Sequence, residues 1–196
     1  MQLKEIGSTG VKISMIGFGC ASIGCEYGIR INGKSCILLE KETSVLVDYA
    51  INSGINFFDT APAYGRSEEI LGKALKRKRH NVVIGTKSAL ILEDGVLPSK
   101  SVIEKKINNS INKSLKLLKT DYIDILQIHE ADEKLYCSDV LNTLCKLKNQ
   151  RTFANSWLPA SLPESNTTVS LCHFISPLES PPFNSFSSFC PITSNH

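Results

Sequence analysis

No stretch of the 196-residue chain reaches the ~18 consecutive apolar residues of a membrane-spanning helix. Met1 to Gly10 carries Lys4, Glu5, Ser8 and Thr9 where a secretory leader would place an apolar core. Charge of one sign is scarce: 22 Lys and Arg face 19 Asp and Glu, leaving +3 with neutral histidines. That excess is scattered, so there is neither a basic stripe matched to nucleic-acid phosphates nor a polybasic segment for anionic lipid. The seven cysteines (Cys20, Cys25, Cys36, Cys137, Cys145, Cys172, Cys190) include no C-x-x-C pair and no Cys/His spacing of a zinc site. The expectation is a cytoplasmic protein with reduced, mostly buried thiols, no metal, and no nucleic-acid or membrane partner. Sequons at Asn108, Asn112 and Asn166 are discounted because nothing routes the chain to the glycosylation machinery. With 42% hydrophobic and 21% charged residues, the composition is that of an ordinary folded domain, not a disordered polyampholyte or a collagen-like fibre.

Composition changes abruptly near residue 151. Beyond it only Arg151, Glu164 and Glu179 are charged, while six of the eight prolines stand there (Pro159, Pro163, Pro177, Pro181, Pro182 and Pro191). No apolar period of 3.6 or 2.0 is sustained across 151–196, so this Ser/Pro-rich stretch is expected to be an irregular tail. Its aromatic residues, Trp157 and Phe183 among them, are many for a solvating linker.

Residues 1–150 alternate strand and helix signals. Leu3 to Ile6 and Val11 to Ser14 flank the turn-forming Gly7-Ser8-Thr9-Gly10 and predict a hairpin. Met15 to Cys20 reads as a buried strand. Glu40 to Ser53 reads as a helix closed by Gly54, and Ile55 to Asp59 as the next strand. Ser67 is expected to cap a helix through Lys78, whose basic end, Lys76 to Arg79, is solvated. Val82 to Ile84, Tyr122 to Gln127 and the helices Ser101 to Leu118 and from Ser138 onward complete the pattern. Four strand–helix units imply parallel strands with right-handed crossovers, in an open doubly wound sheet or part of a (β/α)₈ barrel. Gly17-Phe18-Gly19-Cys20-Ala21-Ser22 places Ser22 where a dinucleotide fingerprint needs its third Gly or Ala, and no immediate helix follows, so the barrel is preferred.

Three strand ends finish in ionisable residues: Asp59 with Tyr64 in the following loop, Lys87, and His129. In a parallel barrel these ends share one face, so the four side chains converge. An ammonium beside a phenol favours the phenolate, and an adjacent carboxylate keeps the lysine charged and oriented. Such a tyrosine can act as general acid toward a carbonyl oxygen. Singly, each residue also has a bland explanation as turn, rim, loop or core residue; jointly, their roles are chemically complementary. A thiol redox role for Cys20 and Cys25 has the wrong spacing.

The segments Gly17-Phe18-Gly19, Asn56 to Gly65, Glu69 to Leu75, Gly85-Thr86-Lys87 and Asp121 to His129 resemble the aldo-keto reductase family. The opening is most similar to the branch that contains L-galactose dehydrogenase. The resemblance covers about residues 1–150. It implies an incomplete (β/α)₈ TIM barrel, an N-terminal hairpin plus four βα units, then the irregular tail. It also implies NADPH or NADH as cofactor and a carbonyl or sugar substrate, with Tyr64 as proton donor, Lys87 and Asp59 tuning it, and His129 orienting the carbonyl. Gly19, Cys20 and Asp59 would lie at the nicotinamide end. After Gln150 the family would continue into further strand–helix units with most cofactor contacts. The departure suggests a frameshifted or alternatively terminated chain with impaired activity. The rival expectation is a non-catalytic fragment that self-associates through open barrel edges.

Overall fold

The computed structural model describes residues 1–7, 9–28, 38–88, 90, 95–129, 135, 137–149 and 153–156. Strands β1 (Leu3–Glu5) and β2 (Lys12–Ser14) form an antiparallel hairpin with Leu3 opposite Ser14. Asn56 ties this hairpin to the rest of the fold. Its Oδ1 accepts from Ser14 N at 2.7 Å, its backbone N donates to Ser14 Oγ at 3.1 Å, and its Nδ2 donates to Lys12 O at 3.0 Å.

A second sheet runs in the order β3 (Phe18–Gly19), β4 (Phe57–Asp59), β5 (Val83–Ser88), β6 (Ile123–Ile128) and β7 (Phe153–Ser156), every pair parallel. The crossovers are α1 (Ala21–Gly24) with α2 (Glu40–Asn52), then α3 (Ser67–Leu75), α4 (Lys100–Leu118) and α5 (Ser138–Asn149). Strand order that follows chain order, with a helix in each crossover, is the wall of a β/α barrel, so the α/β class and partial-barrel architecture expected from the sequence are met.

Local sequence explains the helices. The Glu42 carboxylate accepts from Leu39 N at 2.8 Å at the start of α2, and Gly54, at φ +89°, makes the left-handed exit after it. Ile103, Ile107, Ile111 and Leu118 share one face of α4 and are buried. Two apolar clusters result. Val47, Leu71 and Leu75 pack on Phe58 and Ile84, while Ile103, Ile107 and Leu144 pack on Ile123 and Leu126.

Several expectations are corrected. Within the stretch expected to be irregular, Phe153–Ser156 form β7 and pair with β6, Ile123 opposite Phe153, because backbone hydrogen bonding along an exposed strand edge needs no apolar periodicity. Only Phe18–Gly19 of the Met15 to Cys20 segment is strand, and Met15 and Ile16 are exposed, since among the described residues no strand lies beyond β3. A one-turn helix, α1, directly follows β3 where none was expected. Helix α3 stops at Leu75, and its cap position is Arg66; Ser67 is the first helical residue and turns its hydroxyl inward. Lys78 pairs with Asp48, and Arg79 is mostly buried in a network with Asp124, so the basic end is solvated only at Lys76 and Arg77. The tail beyond Ser156, with Cys172, Cys190 and Asn166, and also Cys36, lies outside the described residues.

Candidate active site

Parallel register puts Gly19 beside Asp59, each the last residue of its strand, and Asp59 beside Gly85 inside β5. Lys87 stands two residues further along β5, beside Gln127, and His129 follows β6 directly, its backbone N donating to Ser88 O at 3.2 Å. The four ionisable residues singled out in the sequence therefore occupy one edge of the sheet.

Asp59 and Lys87 form the tightest contact. Lys87 Nζ donates to Asp59 Oδ1 and Oδ2 at 2.8 and 2.9 Å and to the Thr60 carbonyl at 3.0 Å, so all three ammonium protons have acceptors. The lysine side chain is 14% exposed, which removes most of the water that would otherwise screen the pair. The same ammonium lies 5.0 Å from the centroid of the Tyr64 ring. His129 meets that ring edge-on, centroids 5.9 Å apart and planes at 72°. Its Nδ1 is buried without a hydrogen-bond partner among the described residues, so the ring retains an unused polar atom at the site.

A cleft of about 180 Å³ opens against this cluster. Gly19, Cys20, Ala21, Ser22 and Tyr27 line it from one side, Asp59 and Tyr64 from the other. Gly19 faces open space where a side chain would stand. Cys20 borders the cleft by position, but its residue is fully buried and its Sγ lies 3.5 Å from Phe18 O. Burial, reinforced by the Asp59 carboxylate, pushes that thiol above the ordinary thiol range. A fully buried Cys20 side chain does not suit the thiol redox alternative.

Two residues that sequence reasoning left out of the site, or treated only as a cap, organise its back. Ser67 Oγ donates to Cys20 O at 2.7 Å and lies 2.8 Å from Thr60 Oγ1, linking the ends of β3 and β4 to α3. Glu68, also buried, accepts from Thr86 Oγ1 at 2.7 Å, and burial holds its carboxyl above the usual range against that hydrogen bond. Ser-Glu at a helix start signals a solvated cap, and nothing in a single sequence says that both face inward.

Comparison with known proteins matches residues 16–150 to the family model described as "Aldo/keto reductase family". The uncharacterized oxidoreductase YqkF of Bacillus subtilis is 38% identical over 157 residues, 76% of this chain and 46% of that protein. L-galactose dehydrogenase of Arabidopsis thaliana is 32% identical over 158 residues, again 76% and 46%. A solved Pseudomonas aeruginosa structure assigned to the aldo-keto reductases superposes with a TM-score of 0.64 at 34% identity, covering 79% of this chain and 58% of that one. The chain thus spans about half the length of the curated relatives it matches.

Proposed function

Because the chain belongs to the aldo-keto reductase family, we propose that Asp59, Tyr64, Lys87 and His129 form the reaction centre of an NAD(P)H-dependent oxidoreductase acting on an aldehyde, ketone or sugar carbonyl, or on the matching alcohol. The observation that carries this reading is the Lys87 ammonium, saturated by Asp59 and Thr60 and set against the Tyr64 ring. In this reading Tyr64 gives its phenolic proton to the carbonyl oxygen as that oxygen gains charge. Lys87 stabilises the phenolate left behind, and Asp59 holds the ammonium in place. His129, edge-on to the Tyr64 ring, orients the carbonyl.

The cleft suits the reacting end of a nicotinamide cofactor. At about 180 Å³ it is smaller than a whole-ligand pocket, roughly 300–1,000 Å³, but it has an unobstructed backbone floor at Gly19 and Cys20 beside Asp59. When bound, NADPH or NADH would supply or take up the hydride. Asp59 borders that floor from the opposite strand, and the Cys20 backbone contributes where its buried thiol does not.

The test is thermal melting of the full chain with NADPH or NADH, followed by carbonyl turnover. A cofactor at ~100 times its dissociation constant should add about 2.7 kcal/mol of stability. Tyr64→Phe should keep that shift and lose turnover. No shift with either nucleotide would overturn the reading. A cytoplasmic location belongs to the same proposal and is checked by cell fractionation; no helix among the described residues is long and apolar enough to cross a membrane.

One observation favours a second reading, a non-catalytic chain that pairs with another copy. Leu39, Val45 and Tyr49 expose 64–69% of their surface on or beside α2, and β3 is an edge strand of the described sheet. Concentration-dependent dimerisation by light scattering, with no nucleotide-dependent melting shift, would select it.

A further inference from the structure

We infer that Gly24 and Gly65 form a paired positioning element for Tyr64, in which contact of backbone on backbone, fastened by the Ser67 hydroxyl, sets where the phenol stands relative to Lys87. This rests on the reading of Tyr64 as the proton donor. Two segments meet here: α1, which follows β3, and the loop from Thr60 to Arg66, which follows β4. The cleft lies between them, with Gly19 to Ser22 on one side and Asp59 and Tyr64 on the other.

Their approach leaves no room for a side chain. A Cβ on Gly24 would stand 2.2 Å from the Tyr64 carbonyl oxygen, 2.2 Å from Ser67 N and 2.5 Å from Ser67 Cα. All three are backbone atoms and cannot rotate aside. From the other segment, Gly65 adopts φ +58°, and a Cβ on it would stand 2.4 Å from Gly24 O. Polar contacts hold the interlock closed. Arg66 N donates to Gly24 O at 3.1 Å, Ser67 N donates to Tyr64 O at 3.0 Å, and Ser67 Oγ donates to Cys20 O at 2.7 Å.

Lys87 is anchored at the strand end of this loop, where Thr60 Oγ1 also meets Ser67 Oγ at 2.8 Å. Its acceptors are Asp59, inside β4, and the carbonyl of Thr60, whose own N donates to Gly85 O at 2.8 Å. Forcing the segments apart therefore moves Tyr64, which lies in the loop, more than the Asp59–Lys87 pair, which the pairing of β4 with β5 holds. The tyrosine–lysine separation, 5.0 Å from ring centroid to Nζ, is the quantity the glycine pair controls.

The experiment is a ¹⁹F NMR cycle on the full chain with its five tyrosines replaced by 3-fluorotyrosine. Tyr64→Phe identifies the Tyr64 resonance. Lys87→Met is then introduced into the parent chain, into Gly24→Ala and into Ser67→Ala, which removes the fastening without inserting a methyl group. The expected result is that Lys87→Met moves the Tyr64 resonance in the parent and that this movement is largely lost in Gly24→Ala and reduced in Ser67→Ala. Tyr49 and Tyr122 should keep their positions. An undiminished response in both variants would overturn the inference. So would displacement or collapse of all five resonances in both variants, since the role would then be structural only. Melting with NADPH, run alongside on the parent chain, reports separately on the proposed activity: the tyrosine–lysine response can survive when that shift is absent.

Discussion

Replacing Asp124 by alanine should be among the most damaging single substitutions outside the apolar core. Asp124 Oδ2 accepts from Arg79 Nη2 at 2.6 Å and from the backbone N of Ile84 at 2.8 Å. The two side chains are 13% and 14% exposed, so water replaces little of what is lost. Removing one partner of a mostly buried ion pair costs about 3–5 kcal/mol, because the other charge is left uncompensated. Arg79 keeps the carbonyls of Val82 and Tyr122, the Thr120 hydroxyl and the Tyr122 ring face at 3.9 Å, which argues for the lower end of that range. The orphaned Ile84 amide adds to it, since an unpaired buried donor costs about 1–3 kcal/mol. The net expectation is about 4–6 kcal/mol, a large share of the 5–15 kcal/mol that typically holds a domain together. Urea unfolding measures it, as a lower midpoint at unchanged slope. Asp124→Asn, which keeps an acceptor oxygen, should lose less. Adding Arg79→Met to Asp124→Ala should recover part of the loss by removing the stranded charge. A loss below about 1 kcal/mol for Asp124→Ala, or no recovery in the double variant, would refute this account of the network.

Gly72→Ala should destabilise by about 1–3 kcal/mol in the same assay, because a Cβ there would stand 2.5 Å from Leu117 O where α3 crosses α4. The Glu69 carboxyl, hydrogen-bonded first to Arg66 and then to Lys73, should titrate at about 2 by carboxyl ¹³C NMR and return toward its ordinary 4.5 in Arg66→Gln. Being depressed in the folded state, its contribution is present above pH 4.5 and fades as pH falls toward 2; it faces solvent, so the stability effect is slight. Glu68 has the opposite sign: burial raises its carboxyl, so wild-type stability drops as pH rises through and beyond the ordinary 4.5. Glu68→Gln, which keeps an acceptor for Thr86, should therefore be more stable than wild type at neutral pH, with the difference closing in acid, as read by paired melts across pH.

Much of the fold was legible because its signals are local. The spacing of Ile103, Ile107, Ile111 and Leu118 allows only a helix with one apolar face, and Gly54 marks the left-handed exit from α2. Alternation of such helices with short apolar runs dictates parallel strands, and parallel strands put Asp59, Lys87 and His129 at one edge. That these three candidate residues share one edge follows from chain order.

Its geometry did not. Whether Lys87 reaches Asp59, and from what distance it faces Tyr64, depends on the register of β4 against β5 and on a loop packed against α1. The strand at 153–156 carries no periodic signal, since its definition is a set of backbone bonds to β6. Arg79 read as one more surface charge until the ends of β5 and β6 closed around it, and Ser67 read as a helix cap although it and the neighbouring Glu68 are buried. Residue type and spacing determine which elements form and which side chains share an edge, because those follow from covalent geometry and local periodicity. Burial of a charge, exclusion of a side chain at Gly24 and the tyrosine–lysine distance are decided only in the tertiary structure, because each is set by atoms brought together from segments remote in the chain.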